Sequence, residues 1–288
     1  MLARYARALL LPGRGGGMPR RRLERAAAPE PDRLARYAEV CGFRRTGPLP
    51  ATYPQVLAFP LALDLMTRRD FPFRLPGLVH VANRVEQLRP LDPAERLDFA
   101  VEATGPAAHP RGTAFDLLTE ARDGSGAVVW RSAATYLRRG PGGPGGGAAP
   151  RGAAGPAAGG AADPGEEPEH RERWHVPAGT GRRYAAVSGD RNPIHLHPLA
   201  ARLFGFRGAI AHGMWTKARC LAAAERALPG GLPGAFTVRT AFRGPVALPS
   251  DVEFTAVRRG TELAFGLRAA GAGGHEPRRH LRGRIEAL

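Results

Sequence analysis

The side chains best suited to acid–base chemistry are concentrated in one short segment, residues 184–215. It reads YAAVSGDRNPIHLHPLAARLFGFRGAIAHGMW and contains an aspartate, an asparagine and three histidines. Pro193 disfavours a helical backbone at Asn192, so the chain should pass through an extended or turn conformation there. Across that turn, Asp190 and His195 can converge on one small volume. A carboxylate and an imidazole that share a water molecule form a general acid–base pair.

A second chemical feature follows at Ala211-His212-Gly213-Met214, where the spacing predicts the start of a helix that runs from Gly213 to Leu228. The first turn of a helix exposes unpaired N–H groups and the positive end of the helix dipole. Gly213 has no side chain that would block approach to them. We therefore predict that the Gly213 N–H can stabilise a developing oxyanion.

The elements around these residues occur twice. The segment RYAEVCGF at residues 36–43 recurs as RYAAVSGD at residues 183–190. In each half, a longer helix and a meander of about four strands follow, which predicts an α+β architecture. The longer helix of the first half is predicted to start at Pro60, because proline is favoured in the first turn. The predicted strands cover residues 79–85, 97–103, 114–121 and 128–137 in the first half, and 236–242, 252–257, 263–269 and 280–285 in the second.

The two halves are separated by a segment of biased composition. Residues 140–165 are Gly, Pro and Ala, apart from Arg151 and Asp163. Such a segment cannot bury enough apolar surface to offset its ordering entropy, so it predicts a flexible linker. We divide the chain into a first unit at residues 1–139, a linker at 140–171 and a second unit at 172–288.

The long motif of the second unit, YAAVSGDRNPIH followed by AHGM, resembles the signature of the MaoC-like, or type 2, (R)-specific enoyl-thioester hydratases and 3-hydroxyacyl dehydratases. The resemblance implies a double hot-dog fold, with two antiparallel sheets that each wrap a central helix and form a pseudo-dimer. It also implies that Asp190 and His195 activate the water that adds to an enoyl thioester. Asn192 would orient them, and the Gly213 N–H would bind the thioester oxygen.

The same resemblance implies the ligands. The substrate would be an acyl thioester of CoA or of acyl carrier protein, and neither a metal nor an organic cofactor is expected. The residues assigned to substrate binding lie around the motif or are basic: Ser188, His212, Met214, Arg207, Arg239 and Arg243. His197 stands where many relatives carry an acidic residue.

The first unit lacks the chemical groups of the motif. Phe43 aligns with Asp190, Pro48 stands in the place of His195, and Pro60, which has no N–H, stands opposite Gly213. We predict that the first unit is not catalytic and that it completes the sheet and the acyl pocket. The candidate lining residues are Leu57, Phe59, Leu61, Phe71 and Phe73.

Three other interpretations remain open. His195, His197 and His212 with Asp190 could form a zinc site, because histidine and carboxylate are ordinary zinc ligands. A hot-dog protein can also be a non-catalytic acyl-thioester binding or regulatory protein, or a thioesterase whose water attacks the carbonyl carbon. His80 and His109 are interpreted as strand or surface residues.

Composition limits the remaining classes. The net charge is +16, but Lys217 is the single lysine, and no basic patch with interleaved aromatics accompanies the arginines, so we expect no nucleic-acid partner. Two cysteines are too few for a disulfide framework. No apolar run reaches the ~18 residues of a membrane span, so we expect a cytoplasmic protein without membrane contact. Whether residues 1–25 target the chain, the acyl chain length, and the choice between monomer and homodimer stay open.

Overall fold

A computed structural model of the protein describes residues 17–75, 77–140, 167–271 and 276–288, and residues 141–166 of the predicted linker lie outside them. The strands are β1 Arg22–Ala27, β2 Leu78–Gln87, β3 Leu97–Ala103, β4 Ala107–His109, β5 Gly112–Arg122, β6 Val128–Arg139, β7 His170–Val176, β8 Phe236–Phe242, β9 Ser250–Arg259, β10 Glu262–Ala269 and β11 Arg279–Ala287. The helices are α1 Pro31–Cys41, α2 Tyr53–Met66, α3 Thr180–Ser188, α4 Pro193–Leu196, α5 Pro198–Leu203 and α6 Gly213–Ala227.

The strands of the two units join edge to edge into one continuous antiparallel sheet. Its order is β1-β3-β5-β6-β2-β8-β11-β10-β9-β7, with β4 added beside β5. The seam between the units is the pairing of β2 with β8, in which residues 82–87 pair with residues 236–241. Counted outward from this seam, the strands of one unit follow the same connectivity as those of the other. The duplicated architecture predicted from the sequence repeat is confirmed at this level.

All eight predicted strands are present, each within a few residues of its predicted bounds. Two strands of charged sequence were not predicted: β1 has the sequence RLERAA, and β7, with the sequence HRERWHV, begins inside the predicted linker. These two strands form the outer edges of the sheet. Charged side chains are common on such edges because they discourage pairing with other chains.

Each unit has one long helix packed on its sheet. Helix α6 is rich in alanine, and nine of its residues are buried, which allows close approach to β9 and β10. Helix α2 packs on β1, β3 and β5. Among the described residues, the structure contains no helix with the length and apolar character needed to cross a membrane.

The predicted start of α2 at Pro60 is wrong. The helix begins at Tyr53, Pro54 occupies the favoured first turn, and Pro60 lies inside the helix. An internal proline removes one hydrogen bond and costs about 3 kcal/mol. Apolar residues on both sides of it are buried, among them Val56 and Leu65, and their burial offsets that cost.

The short helices α1 and α3 end in the same way. Gly42 and Gly189 follow them with φ of 77° and 80°, a left-handed conformation that favours glycine. Phe43 and Asp190 come directly after these glycines, as the predicted alignment of these two residues requires. The two helices also pack on each other across the units. The predicted alignment of Pro60 with Gly213 is wrong, because Tyr53 is the first residue of α2.

Candidate active site

The turn after α3 fixes the position of Asp190. Its backbone N–H donates to Ser188 Oγ at 3.2 Å, and its Oδ1 accepts from the Asn192 N–H at 3.1 Å. Asn192 has φ of −58° and ψ of 123°, which is the extended conformation predicted for the residue before Pro193. Its side chain accepts from the Ile194 N–H and thereby caps α4. The loop therefore holds the carboxylate and starts the helix that carries His195.

His195 is oriented by a single hydrogen bond. Its Nδ1 lies 2.8 Å from the carbonyl oxygen of Ile210, so Nδ1 carries the proton and donates it to that carbonyl. Nε2 is then the unprotonated nitrogen. Burial lowers the pKa of His195 below its ordinary value, against the opposing effect of Asp190. The ring is therefore neutral near pH 7 and can accept a proton.

His212 supports the same loop from the tip of α6. Its Nε2 donates to the backbone carbonyl of Asp190 at 3.0 Å, and its ring stacks on His195 with centroids 3.8 Å apart. Burial, together with His195, lowers the pKa of His212 to about 3. His212 is thus a neutral donor that ties the helix tip to the aspartate turn.

One side-chain nitrogen or oxygen atom from each of Asp190, His195 and His212 lies within 4.8 Å of those from the other two. The predicted convergence of Asp190 with His195 is therefore present in the structure. Gly213 is the first residue of α6, where an N–H has no partner within the helix. A Cβ at Gly213 would lie 3.4 Å from the Phe242 ring, so glycine keeps the space between that ring and the helix tip open.

All four predicted catalytic residues, Asp190, Asn192, His195 and Gly213, line a cavity of about 230 Å³. Both units build it. The first unit contributes Gln55, Val56, Phe59, Leu78, Val79, His80, Val81, Arg111, Tyr136 and Arg139. A second cavity of about 290 Å³ adjoins it and shares Leu78, Val79, Arg139, Asn192, Ile194 and Phe206.

The residues predicted for substrate binding divide into two groups. The cavity of about 230 Å³, called the main cavity below, is lined by Ser188, His212, Met214 and Arg243. Arg207 is exposed and lines neither cavity, because it lies on the loop after α5. Arg239 points away from the cavity within β8 and forms an ion pair with Glu286 of β11.

The predicted lining by the first unit was mostly wrong. Phe59 lines the cavity, but the other four candidates, Leu57, Leu61, Phe71 and Phe73, pack in the hydrophobic core. Phe73 stacks on Phe115 of β5 and Phe71 meets the same ring edge to face, while Leu57 and Leu61 belong to the buried side of α2. An apolar sequence alone does not distinguish a core position from a cavity wall.

Three features of the site were not predicted. Arg111 and Arg139 lie at the cavity, where their signal was lost among the many arginines of the chain. His80 also lines the cavity, although its place in a strand was expected. Gly181, in the first turn of α3, leaves room for the His195 carbonyl, since a Cβ there would lie 1.9 Å from that oxygen.

The metal interpretation keeps three of its four residues. Asp190, His195 and His212 are close, whereas His197 is exposed and caps α5. Zinc needs ligand bonds of about 2.0–2.2 Å in a tetrahedral arrangement. To bind zinc in this way, the two histidine rings would have to unstack and the hydrogen bond from His212 to the Asp190 carbonyl would have to break. The present arrangement suits a shared water molecule better.

The duplicated sheet and helices define a double hot-dog protein, and Asp190, His195 and His212 come together in its second unit. Residues 160–273 match the MaoC like domain family. The chain is 35% identical over 228 residues to 3-hydroxyacyl-thioester dehydratase X of Mycobacterium tuberculosis, which covers 77% of this chain and 74% of that protein. The chain belongs to the MaoC-like family of hydratases and dehydratases.

One solved structure agrees with this assignment, and a second, more distant one shares the fold. The crystal structure of HtdX from Mycobacterium tuberculosis superimposes with a TM-score of 0.76 at 31% identity and covers 93% of this chain and 100% of that one. Another protein of that organism, described as a double hot-dog fold, has a TM-score of 0.56 at 13% identity over 93% of this chain and 95% of its own. The 3-hydroxybutyryl-CoA dehydratase of Methylorubrum extorquens is 43% identical over 74 residues, 24% of this chain and 45% of that protein.

Proposed function

We propose that this protein is an (R)-specific hydro-lyase that interconverts trans-2-enoyl and (3R)-3-hydroxyacyl thioesters. The observation that carries the proposal is the convergence of Asp190 and His195 beside the N-terminus of α6 in one cavity. A protein that only binds thioesters needs no acid or base. Membership of a family whose relatives are named dehydratases supports the same reaction.

The geometry supports a mechanism with His195 as the group that moves the proton. In this mechanism the substrate water binds between the Asp190 carboxylate and His195 Nε2. His195 takes a proton as the water oxygen bonds to C3, and the C2=C3 electrons move into the thioester as an enolate. The Gly213 N–H holds the enolate oxygen, and Asp190 stabilises the imidazolium. His195 then returns the proton to C2 on the same face, and dehydration is the reverse.

The first unit is proposed to be a non-catalytic partner within the chain. Phe43 occupies the position of Asp190, and Tyr53, the first residue of α2, occupies the position of Gly213 and is fully buried. Because both units come from one chain, the internal pseudo-dimer completes the cavity in a monomer. The cytoplasmic location and a further homodimer stay predictions.

The thioester carrier is proposed to be CoA rather than acyl carrier protein. Four exposed arginines surround the openings of the two cavities: Arg111, Arg138, Arg139 and Arg243. None of them forms an ion pair with a described residue. Guanidinium groups bind phosphate oxygens through paired hydrogen bonds, and CoA carries phosphates on its nucleotide end.

The reaction is tested by hydration of crotonyl-CoA, followed by loss of enoyl absorbance and chiral analysis of the product. The (3R)-3-hydroxy thioester is the expected product. Release of free acid and thiol would instead indicate a thioesterase, and tight binding without turnover would indicate a binding or regulatory protein.

The carrier is tested with Arg139→Met and Arg243→Met, with Arg207→Met as the matched control outside both cavities. The first two variants should raise KM for crotonyl-CoA about tenfold at unchanged kcat and leave turnover of the crotonyl-pantetheine thioester unchanged. An equal effect on the pantetheine thioester would show that these arginines do not bind phosphate. Turnover restricted to substrates on acyl carrier protein would overturn the assignment to CoA.

A further inference from the structure

Buried polar atoms without a hydrogen-bond partner are concentrated at the main cavity. Four of the eleven such side-chain atoms among the described residues belong to its lining: Gln55 Oε1, His80 Nε2, His212 Nδ1 and His280 Nδ1. Folded proteins rarely leave buried polar atoms unpaired, because each loses its hydrogen bonds to water. Their concentration at one cavity indicates a ligand that supplies hydrogen-bond partners.

Two of these atoms come from the first unit, which has no other chemical role. Gln55 lies in the first turn of α2. The ring of His80 lies between Tyr136 and Phe242, with centroids 4.8 Å from each. Since Phe242 packs against Gly213, His80 is one aromatic ring away from the helix tip at which the thioester oxygen is proposed to bind.

Gln55 lies toward the closed end of the cavity, and His80 Nε2 is shielded from solvent. The arginines that line the cavity are exposed, whereas Val56, Tyr184 and Thr216 are no more than 4% exposed, so the cavity closes between the first turns of α2 and α6. Gln55 adjoins Val56 on that wall. A thioester with its nucleotide at the arginines places its acyl end here.

The electrostatics of this end favour a neutral partner. Burial, helped by the nearby amine of Lys217, lowers the pKa of His80 to about 3, so the ring is uncharged. Lys217 itself is buried against Asn83 and is not part of the cavity wall. Within the described residues, no cation lines the closed end to balance an anionic group.

We propose that Gln55 and His80 form an acyl-end subsite that hydrogen-bonds a neutral substituent carrying an O–H or N–H donor, a hydroxyl or amide, on the acyl chain of the substrate. The subsite rests on the proposed hydratase function. The first unit then sets specificity, while the second unit performs the reaction. A purely aliphatic chain would leave both polar atoms unpaired and should be the poorer substrate.

The test compares matched enoyl-CoA pairs, trans-2-hexenoyl and trans-2-octenoyl, each with and without a terminal hydroxyl. For at least one of the two chain lengths, the wild-type protein should have a kcat/KM about tenfold higher for the hydroxylated substrate than for its aliphatic partner, the effect of one added hydrogen bond. His80→Phe keeps the stacked ring and removes the nitrogens, and Gln55→Leu keeps the shape and removes the amide. Each should abolish the preference. His175→Phe, on the outer strand β7, is the matched control.

The preference is a ratio of two rates on one preparation, so partial misfolding of a variant does not alter it. If one variant is too unstable to assay, the other variant and the wild-type ratio still decide. Equal or better turnover of both aliphatic partners by the wild-type protein would overturn the subsite and leave the hydratase function intact. Loss of preference in His175→Phe would also overturn it, and absence of any hydration would overturn both proposals.

Discussion

The two units use the same backbone turn to present different side chains. A short helix ends at a left-handed glycine in both, and the next residue is Phe43 in the first unit and Asp190 in the second. Phe43 is 8% exposed and stacks on Tyr37, whereas Asp190 faces the cavity. The turn depends on the glycine conformation, so the residue after it can change from a buried ring to a reactive carboxylate without change of fold.

The long helices differ in the same manner. The cap and first residue of α6, His212 and Gly213, line the cavity, whereas the cap and first residue of α2, Thr52 and Tyr53, are buried away from it. In the first unit, the residues at the start of the long helix therefore pack in the interior of the protein. One unit contributes the chemical groups and the other contributes a wall, and the following experiments measure how complete that division is.

The largest effect is expected from the double change of Asp190→Asn with His195→Ala. Removal of both the carboxylate and the proton-transfer group should lower kcat by about a thousandfold or more, the range typical of general acid–base catalysis. No turnover should remain from the first unit. His197→Asn keeps the cap of α5 and is the control. Substantial turnover by the double variant, or by the first unit expressed alone, would contradict the division.

A smaller effect is expected from Gly181→Ala, which tests the backbone packing that positions His195 and leaves the reacting groups unchanged. The added Cβ would lie 1.9 Å from the His195 carbonyl oxygen, a backbone atom that cannot rotate away. Displacement of His195 by this contact should lower kcat/KM about a hundredfold. Gly179→Ala, with no atom within 4 Å of the new Cβ, should behave as wild type. Equal activity and Tm for the two variants would show that the contact does not hold His195 in place.

The pH dependence of the rate tests the protonation state of His195. Its pKa is lowered from 6.5 by burial, and the base is active only when neutral. On the acid side, kcat/KM should therefore stay level to below pH 6.5 and then fall about tenfold per pH unit. A fall that begins above pH 6.5 would mean that the imidazole is not the group whose protonation stops the reaction.

The smallest effect is expected on stability. It concerns Lys217 at the seam between the units, whose amine donates a hydrogen bond to Asn83 Oδ1 of β2. Burial lowers the pKa of Lys217 well below 10.5, so the unfolded chain binds a proton that the folded protein does not. Between the lowered pKa and 10.5, this residue makes the free energy of unfolding rise with pH by up to about 1.4 kcal/mol per unit. Lys217→Met should remove that contribution in denaturant titrations, whereas Arg226→Met should keep it. An unchanged slope in Lys217→Met would show that the amine is charged in the folded state.

The sequence was most informative where one residue determines local geometry. Pro193 predicted the extended turn at Asn192, and the glycines at 42 and 189 aligned the two repeats. The sequence was least informative where the position of a side chain depends on residues that are distant in the chain. The register of β2 shifts between His80 and Ala82, and a bulge of this kind can redirect side chains. Nothing in the local sequence signals that shift, so His80 could not be assigned to the cavity.

Arg239 and Pro60 illustrate the same limit. Arg239 is basic and belongs to the second unit, but its partner Glu286 comes from β11, which follows much later in the chain. Pro60 resembles a helix start until the buried residues on both sides of it are known. In both cases a long-range contact outweighed a local preference.

The seam at β2 and β8 also determines what happens if the chain is divided. Each fragment would expose six residues of unpaired backbone along a strand that is internal to the sheet of the whole protein. Separate fragments should therefore be unstable and prone to aggregate when alone, and should associate when mixed. Complementation between co-expressed halves would recover the shared cavity without a covalent link.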